Sequence, residues 1–258
     1  LTVLPVLAVG IDGWRRGWFP AGDWAMTELR VLDVGTRHTP LVGAYSRYSW
    51  NHPGPLLFWV LAVPYRLFGS ASSALLLGAS VVNAVSVAGM LALAWRRGRL
   101  ILVAGTAVAL AVCLYALTPT LLRDPWNAWV SVLPFGLLVL ATWSALEGDR
   151  AALVVVAVVG AFLTQSHIGF APLVAVLTVV GAVGFWRRTA DRPWLGIAAA
   201  VAALCWLPVV ADVLTGGDNV GRIIGHFAGD STPAGLGRAV GVAARELTGL
   251  KPWTKLGE

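Results

Sequence analysis

The chain has 258 residues, of which 57% are hydrophobic and only 12% charged, about half the ~25% charged share of a soluble globular chain. A mean hydropathy of +0.75 leaves too little polar surface to face water, which excludes a soluble domain as the main body. The formal net charge of +6 would suit a nucleic acid. However, the basic residues stand in short groups at the ends of apolar runs, a pattern of membrane topology, so no nucleic-acid partner is expected.

In chain order, residues 1–11 form an apolar stretch too short to cross hydrocarbon. They read as a partial first helix of a chain that lacks its start, with no cleavable signal in view. Residues 12–70 read as one extracytoplasmic loop, polar and aromatic up to residue 54. Residues 55–69, with Arg66 and Pro64, suit an interfacial helix better than a span.

Residues 71–214 then hold about six transmembrane helices, at 71–95, 100–118, 129–146, 151–164, 170–186 and 194–214. These runs are nearly free of charge, and inside lipid each backbone N–H and C=O needs an internal partner, so they predict helices rather than strands. Residues 215–258 read as a second extracytoplasmic loop that is cut short. The expected fold is therefore an all-α, polytopic transmembrane helical bundle, a single domain over 1–258, multi-pass in the cell (plasma) membrane.

Arg96, Arg97 and Arg99, then Arg150, then Arg187, Arg188 and Arg192 mark alternate connections as cytoplasmic. The other connections, with only Arg123 in the short ones, face outward. Cys113 and Cys205 both fall in apolar runs and read as small buried side chains rather than a disulfide or a metal site.

Acids are scarce, and Asp12, Asp23, Glu28 and Asp33 all precede the first complete span. A step of five residues turns a helix by about 140°, so Asp23, Glu28 and Asp33 cannot share one helical face and form no preformed metal cluster. Asp23, in Ala21-Gly22-Asp23-Trp24, has an aromatic neighbour that limits water and is the candidate general base. Glu28 and Asp33 read equally as solvated loop acids.

His52 lies in the rigid corner Trp50-Asn51-His52-Pro53-Gly54-Pro55, where it either meets a phosphate at headgroup level or caps a helix start. Asp124, in Arg123-Asp124-Pro125, is either a reacting acid or the start of a helix. His167, in Thr164-Gln165-Ser166-His167-Ile168-Gly169, is either a substrate contact or a packed structural histidine. The many tryptophans predict an aromatic belt at the membrane surface.

This order of short first helix, acidic outward loop, His-Pro-x-Pro corner, interfacial helix and helical block resembles the GT-C membrane glycosyltransferases. Within them the chain looks like the protein-mannosyltransferase and aminoarabinose-transferase type, and like actinobacterial cell-envelope enzymes that use polyprenyl-phosphate sugars. The resemblance implies transfer of a hexosyl or pentosyl group from a polyprenyl-phosphate donor to a hydroxyl of a glycan, lipid or protein acceptor on the extracytoplasmic side.

It also implies that Asp23 is the catalytic carboxylate, although Trp24 stands where the family often has a second acid, which leaves Glu28 as a substitute. Asp124 matches the second outward aspartate. His52 matches the lipid-phosphate corner with one residue changed, and Arg47, His167 and Arg222 join it as candidate substrate or phosphate contacts. That scheme needs no cofactor and no metal, and a divalent cation beside the acids stays open. The competing expectations are a polytopic transporter or lipid flippase, and a catalytically incomplete membrane fragment.

Overall fold

The computed structural model describes residues 2–229 and 235–247, so residues 230–234 and 248–258 of the expected last loop lie outside the described residues. Those described are helical: α1 (Val3–Arg16), α2 (Asp23–Asp33), α3 (Leu56–Leu67), α4 (Ala74–Ala116), α5 (Pro119–Leu122), α6 (Val132–Leu146), α7 (Arg150–Ser166), α8 (Ala171–Arg188), α9 (Pro193–Leu214), α10 (Asn219–Ala228) and α11 (Leu236–Leu247). Extended pairing among them is limited to an antiparallel bridge between Tyr45 and Asn51.

Three of these elements are long and apolar enough to cross a membrane: α4, α8 with the 3-10 turn before it (Ile168–Arg188), and α9. α6 and α7 are equally apolar but shorter, at 15 and 17 residues. Val176, Val179, Leu204, Leu207 and Leu214 are all exposed on the outer helices. An apolar exterior of this extent suits hydrocarbon and not water.

α6 is central and packs on α4, α7 and α8, while α9 covers α7 and α1 lies along α4. Glycines allow the close approaches. A Cβ on Gly10 would lie 2.4 Å from Ser80 Cβ, and one on Gly184 would lie 3.1 Å from Leu146 Cα. Small residues let helix backbones meet in this way where lipid offers no hydrophobic drive to association.

The helix boundaries differ from the sequence expectation in three places. The first helix does not stop at residue 11 but runs to Arg16. On its last turns Asp12 accepts from Arg16 of the same helix at 2.7 Å and from Arg123 at 3.1 Å. The stretch 12–54 is not all loop, because it contains α2. The runs 71–95 and 100–118 join in α4, interrupted where Gly98 (φ −154°, ψ 21°) and Arg99 (φ 53°, ψ −140°) leave helical geometry.

Cys113 is exposed and Cys205 half-buried, so the expected burial of both thiols does not hold. Cys113 sits on a part of α4 whose neighbours Val112 and Tyr115 are also exposed.

At the arginine-bearing end, Asp149 joins three helices. Its side chain caps α7 by accepting from Ala151 and Ala152 N–H, takes two hydrogen bonds from Arg96 at 2.8 and 2.9 Å, and accepts from Ser144. Burial pushes its carboxyl up, but the Arg96 bonds and the cap outweigh that and hold it below the ordinary value.

Candidate active site

The connections at the other end of the helices converge. α2 begins at Asp23 after Gly22, which takes φ 56° to make the turn. Asp23 therefore stands at the helix end whose unsatisfied N–H groups favour a carboxylate. Met26, Thr27 and Arg30 follow at i+3, i+4 and i+7, and this face of α2 lines a cleft of about 260 Å³ with Asn51, Phe58, Trp126 and Asn127 among its other walls.

Asp23 and Arg30 are two helical turns apart, about 10 Å along the axis. Among the described residues neither takes part in a salt bridge. Asp23 is exposed, so the expected aromatic shield is not in place. Trp24 instead turns its indole away and donates from Nε1 to Asp124 Oδ1 at 2.8 Å.

Asp124 is buried and also accepts from the Trp126 backbone N–H at 2.8 Å. The same oxygen thus fixes both the start of α2 and the turn that supplies a wall of the cleft. A second hollow of about 250 Å³ lies along Trp18, Trp24, Arg123, Asp124 and Pro125, so the Trp24–Asp124 pair lines this hollow. Arg123 is held by Asp12 and by Val9 O.

Glu28 projects 140° away from Asp23 around α2 and accepts from Tyr65 Oη at 2.8 Å. It pins α2 to α3 and does not line the cleft.

His52 is buried. Its Nδ1 accepts from Ile168 N–H at 3.1 Å, and its ring lies 4.6 Å from that of His167. Burial, then the neighbouring His167, pushes its pKa down to about 4. Burial lowers His167 as well. A neutral His52 is the form that accepts the Ile168 N–H, so its place is in the frame behind the cleft.

The frame is tight. His52 N–H donates to Ala44 O and Gly43 N–H to His52 O, both at 2.8 Å. A Cβ on Gly43 would sit 2.7 Å from Gly54 O, and one on Gly54 only 2.1 Å from Gln165 Oε1. Gln165 cannot swing freely, because its Nε2 donates to Cys205 O at 2.8 Å. Asn127 Nδ2 donates to Ser166 O, which ties the second connection to the third.

The last loop closes the same surface through Asn219. Its Oδ1 accepts from Asn51 N–H at 2.7 Å and its Nδ2 donates to Asn51 O at 3.0 Å. His226 and Phe227 of α10 pack at a tilt against Trp50, with centroids 5.6 and 6.2 Å away. Arg47 is exposed over the Tyr48 ring, and Arg222 is exposed beside Asp218. The structure thus gathers Asp23, Asp124, His52 and His167 at one end of the bundle and leaves Glu28, Arg47 and Arg222 in other contacts.

Sequence reasoning missed Arg30, Asn51, Asn127 and Asn219. For Arg30 a signal was present, namely its i+7 spacing from Asp23. Among the described residues, no group of three or more His, Cys, Asp or Glu side chains stands close enough to hold a metal ion. No family model, no curated protein and no solved structure matches the chain.

Proposed function

We propose that the chain is a polytopic, GT-C type membrane glycosyltransferase that moves a sugar from a polyprenyl-phosphate donor to an acceptor hydroxyl on the extracytoplasmic side. The observation that carries this reading is the cleft that presents Asp23 and Arg30 from one face of α2 at the mouth of an apolar helical body. A lipid-linked substrate needs that combination of a polar reaction space and a hydrocarbon-facing flank. Three short connections at the opposite end carry seven arginines, which makes that end cytoplasmic and the cleft outward-facing. α3 fits the interfacial helix of this topology, with Val60, Val63 and Leu67 exposed on one side and Phe58, Leu61 and Tyr65 buried on the other.

In the reaction, Asp23 takes the proton of the acceptor hydroxyl as the hydroxyl oxygen bonds to the sugar C1. The bond from C1 to the phosphate oxygen breaks with its electron pair, and polyprenyl phosphate leaves with one inversion at C1. Arg30, a cation two helical turns from the base, meets the charge gathering on the leaving phosphate. Asp124 and Trp24 act as positioning residues for Asp23, and the His52–His167 pair holds the corner on which Asn51 is carried. Glu28, already engaged by Tyr65, is a brace between helices.

The test is incubation of the purified full chain with a panel of polyprenyl-phosphate sugars and simple glycan or lipid acceptors, with mass-spectrometric detection of free polyprenyl phosphate. Release of polyprenyl phosphate together with a glycosylated acceptor supports the reading. Translocation of intact donor across a vesicle membrane with no bond cleavage would replace it with a flippase.

A further inference from the structure

We infer that the arginine-lined cleft at the break in α4 binds the headgroup phosphate of an anionic glycerophospholipid. The site is separate from the Asp23 cleft, since the 15 residues of α6 span about 22 Å between the two ends, and the inference does not depend on glycosyl transfer. The cleft measures about 460 Å³ and is lined by Trp95, Arg96, Arg97, Arg99, Asp149 and Arg150 with Gly148 at its edge. That volume falls within the ~300–1,000 Å³ of small-molecule sites.

Two of the four guanidinium groups are committed. Arg96 is held by Asp149 with two hydrogen bonds, and Arg150 is paired with Asp191. The other two bring charge that nearby carboxylates do not cancel. Arg97 reaches Glu147 only at 4.0 Å, and that carboxylate already pairs with Arg188 at 2.9 Å. Arg99 enters no salt bridge among the described residues.

Both of these guanidinium groups lie over indole rings, Arg97 over Trp143 at 5.9 Å and Arg99 over Trp95 at 5.3 Å. Stacking orients a guanidinium while leaving its edge N–H groups free to donate to phosphate oxygens. Tryptophan side chains also favour the headgroup level of a bilayer.

The surface continues from the arginines into apolar contacts, because Leu100 and Ile101 are 71% and 85% exposed. A ligand that fits both parts carries a phosphodiester next to acyl chains. This favours a membrane phospholipid over a free anion, for which Leu100 and Ile101 offer nothing.

The experiment is native mass spectrometry of the full chain in an uncharged detergent, titrated with phosphatidylglycerol and with phosphatidylcholine of the same acyl chains. The wild type retains one phosphatidylglycerol in preference to phosphatidylcholine. The double variant Arg97→Gln, Arg99→Gln binds phosphatidylglycerol about 25-fold more weakly, at about fivefold per arginine near a headgroup surface. Arg97→Lys with Arg99→Lys keeps the preference for the anionic lipid, and it answers the question even if the glutamine variant does not fold.

A control that removes equal charge outside this cleft, Arg15→Gln in the last turn of α1 with Arg37→Gln after α2, changes affinity by less than about twofold. Equal binding of the two lipids by the wild type would overturn the assignment. So would an equal loss in the control pair, or displacement by inorganic phosphate at the same concentration as phosphatidylglycerol.

Discussion

The indole of Trp24 donates to the buried carboxylate of Asp124 across 100 residues of sequence, at 2.8 Å. The residue after the proposed base is therefore a tether, which links the start of α2 to the Asp124 connection. Two sequence-distant acids become one unit, with Asp124 holding Trp24 and Trp24 fixing where Asp23 begins its helix.

Trp24→Phe removes the donor while keeping an aromatic ring. Because Trp24 is 39% exposed, the stability cost is about 1 kcal/mol, the size of an ordinary hydrogen bond. The effect on transfer is larger, about 10- to 100-fold on kcat, since a base displaced by an ångström loses most of its alignment. Asp124→Ala also strips the acceptor from Trp126 N–H, so its thermal unfolding falls further, by about 2–3 kcal/mol. Melting curves and initial rates for the two variants measure these separately.

His52 gives the chain a pH dependence with a definite sign. Its pKa is about 4 in the fold against 6.5 for the ordinary side chain. Between those values the unfolded chain binds a proton that the folded chain refuses. Stability from this group is thus complete above pH 6.5 and falls as the pH drops through 6.5 towards 4, by on the order of 3 kcal/mol. Thermal melts from pH 7.5 to pH 4.5 show the slope, and His52→Gln removes most of it. His167, also lowered, keeps a smaller slope of the same sign.

Much of the body was legible in the sequence, and the reason is physical. Long uncharged runs such as the one in α9 have one low-energy form in hydrocarbon, so composition alone predicts helix. The functional end was less legible. Asp23, Asp124, His52 and His167 were singled out by residue type and loop position, but their partners are backbone groups and distant side chains. The Asn51–Asn219 pair spans 168 residues, and no local pattern announces it. Glu28 illustrates the converse, since an acid in a promising loop is taken by Tyr65 from a neighbouring helix. Helix α2 is hidden in the sequence because its 11 residues are short and mix polar with apolar side chains, so the i, i+3, i+4, i+7 series from Asp23 to Arg30 is a weak signal.

At the arginine-bearing end, Asp149→Ala is expected to be more damaging than Arg96→Gln. The alanine variant loses the cap of α7, worth about 1 kcal/mol, together with the Arg96 and Ser144 contacts, for a total of about 2–3 kcal/mol. Arg96 is 54% exposed, so its loss alone costs about 1 kcal/mol after solvent screening. Because the Asp149 carboxyl is held below its ordinary value, its contribution is intact at neutral pH and is lost only as the pH falls through that lowered value. Denaturation in graded detergent mixtures ranks the two variants.

The central claim rests on Asp23 as the group that deprotonates the acceptor. Its most direct test is single-turnover release of polyprenyl phosphate from a polyprenyl-phosphate sugar by the wild type and by Asp23→Asn, two proteins matched for helical content and melting temperature. The account predicts that the asparagine variant still binds donor but transfers at least about 100-fold more slowly, the scale of a lost general base. Transfer at the wild-type rate by a folded Asp23→Asn protein would contradict it.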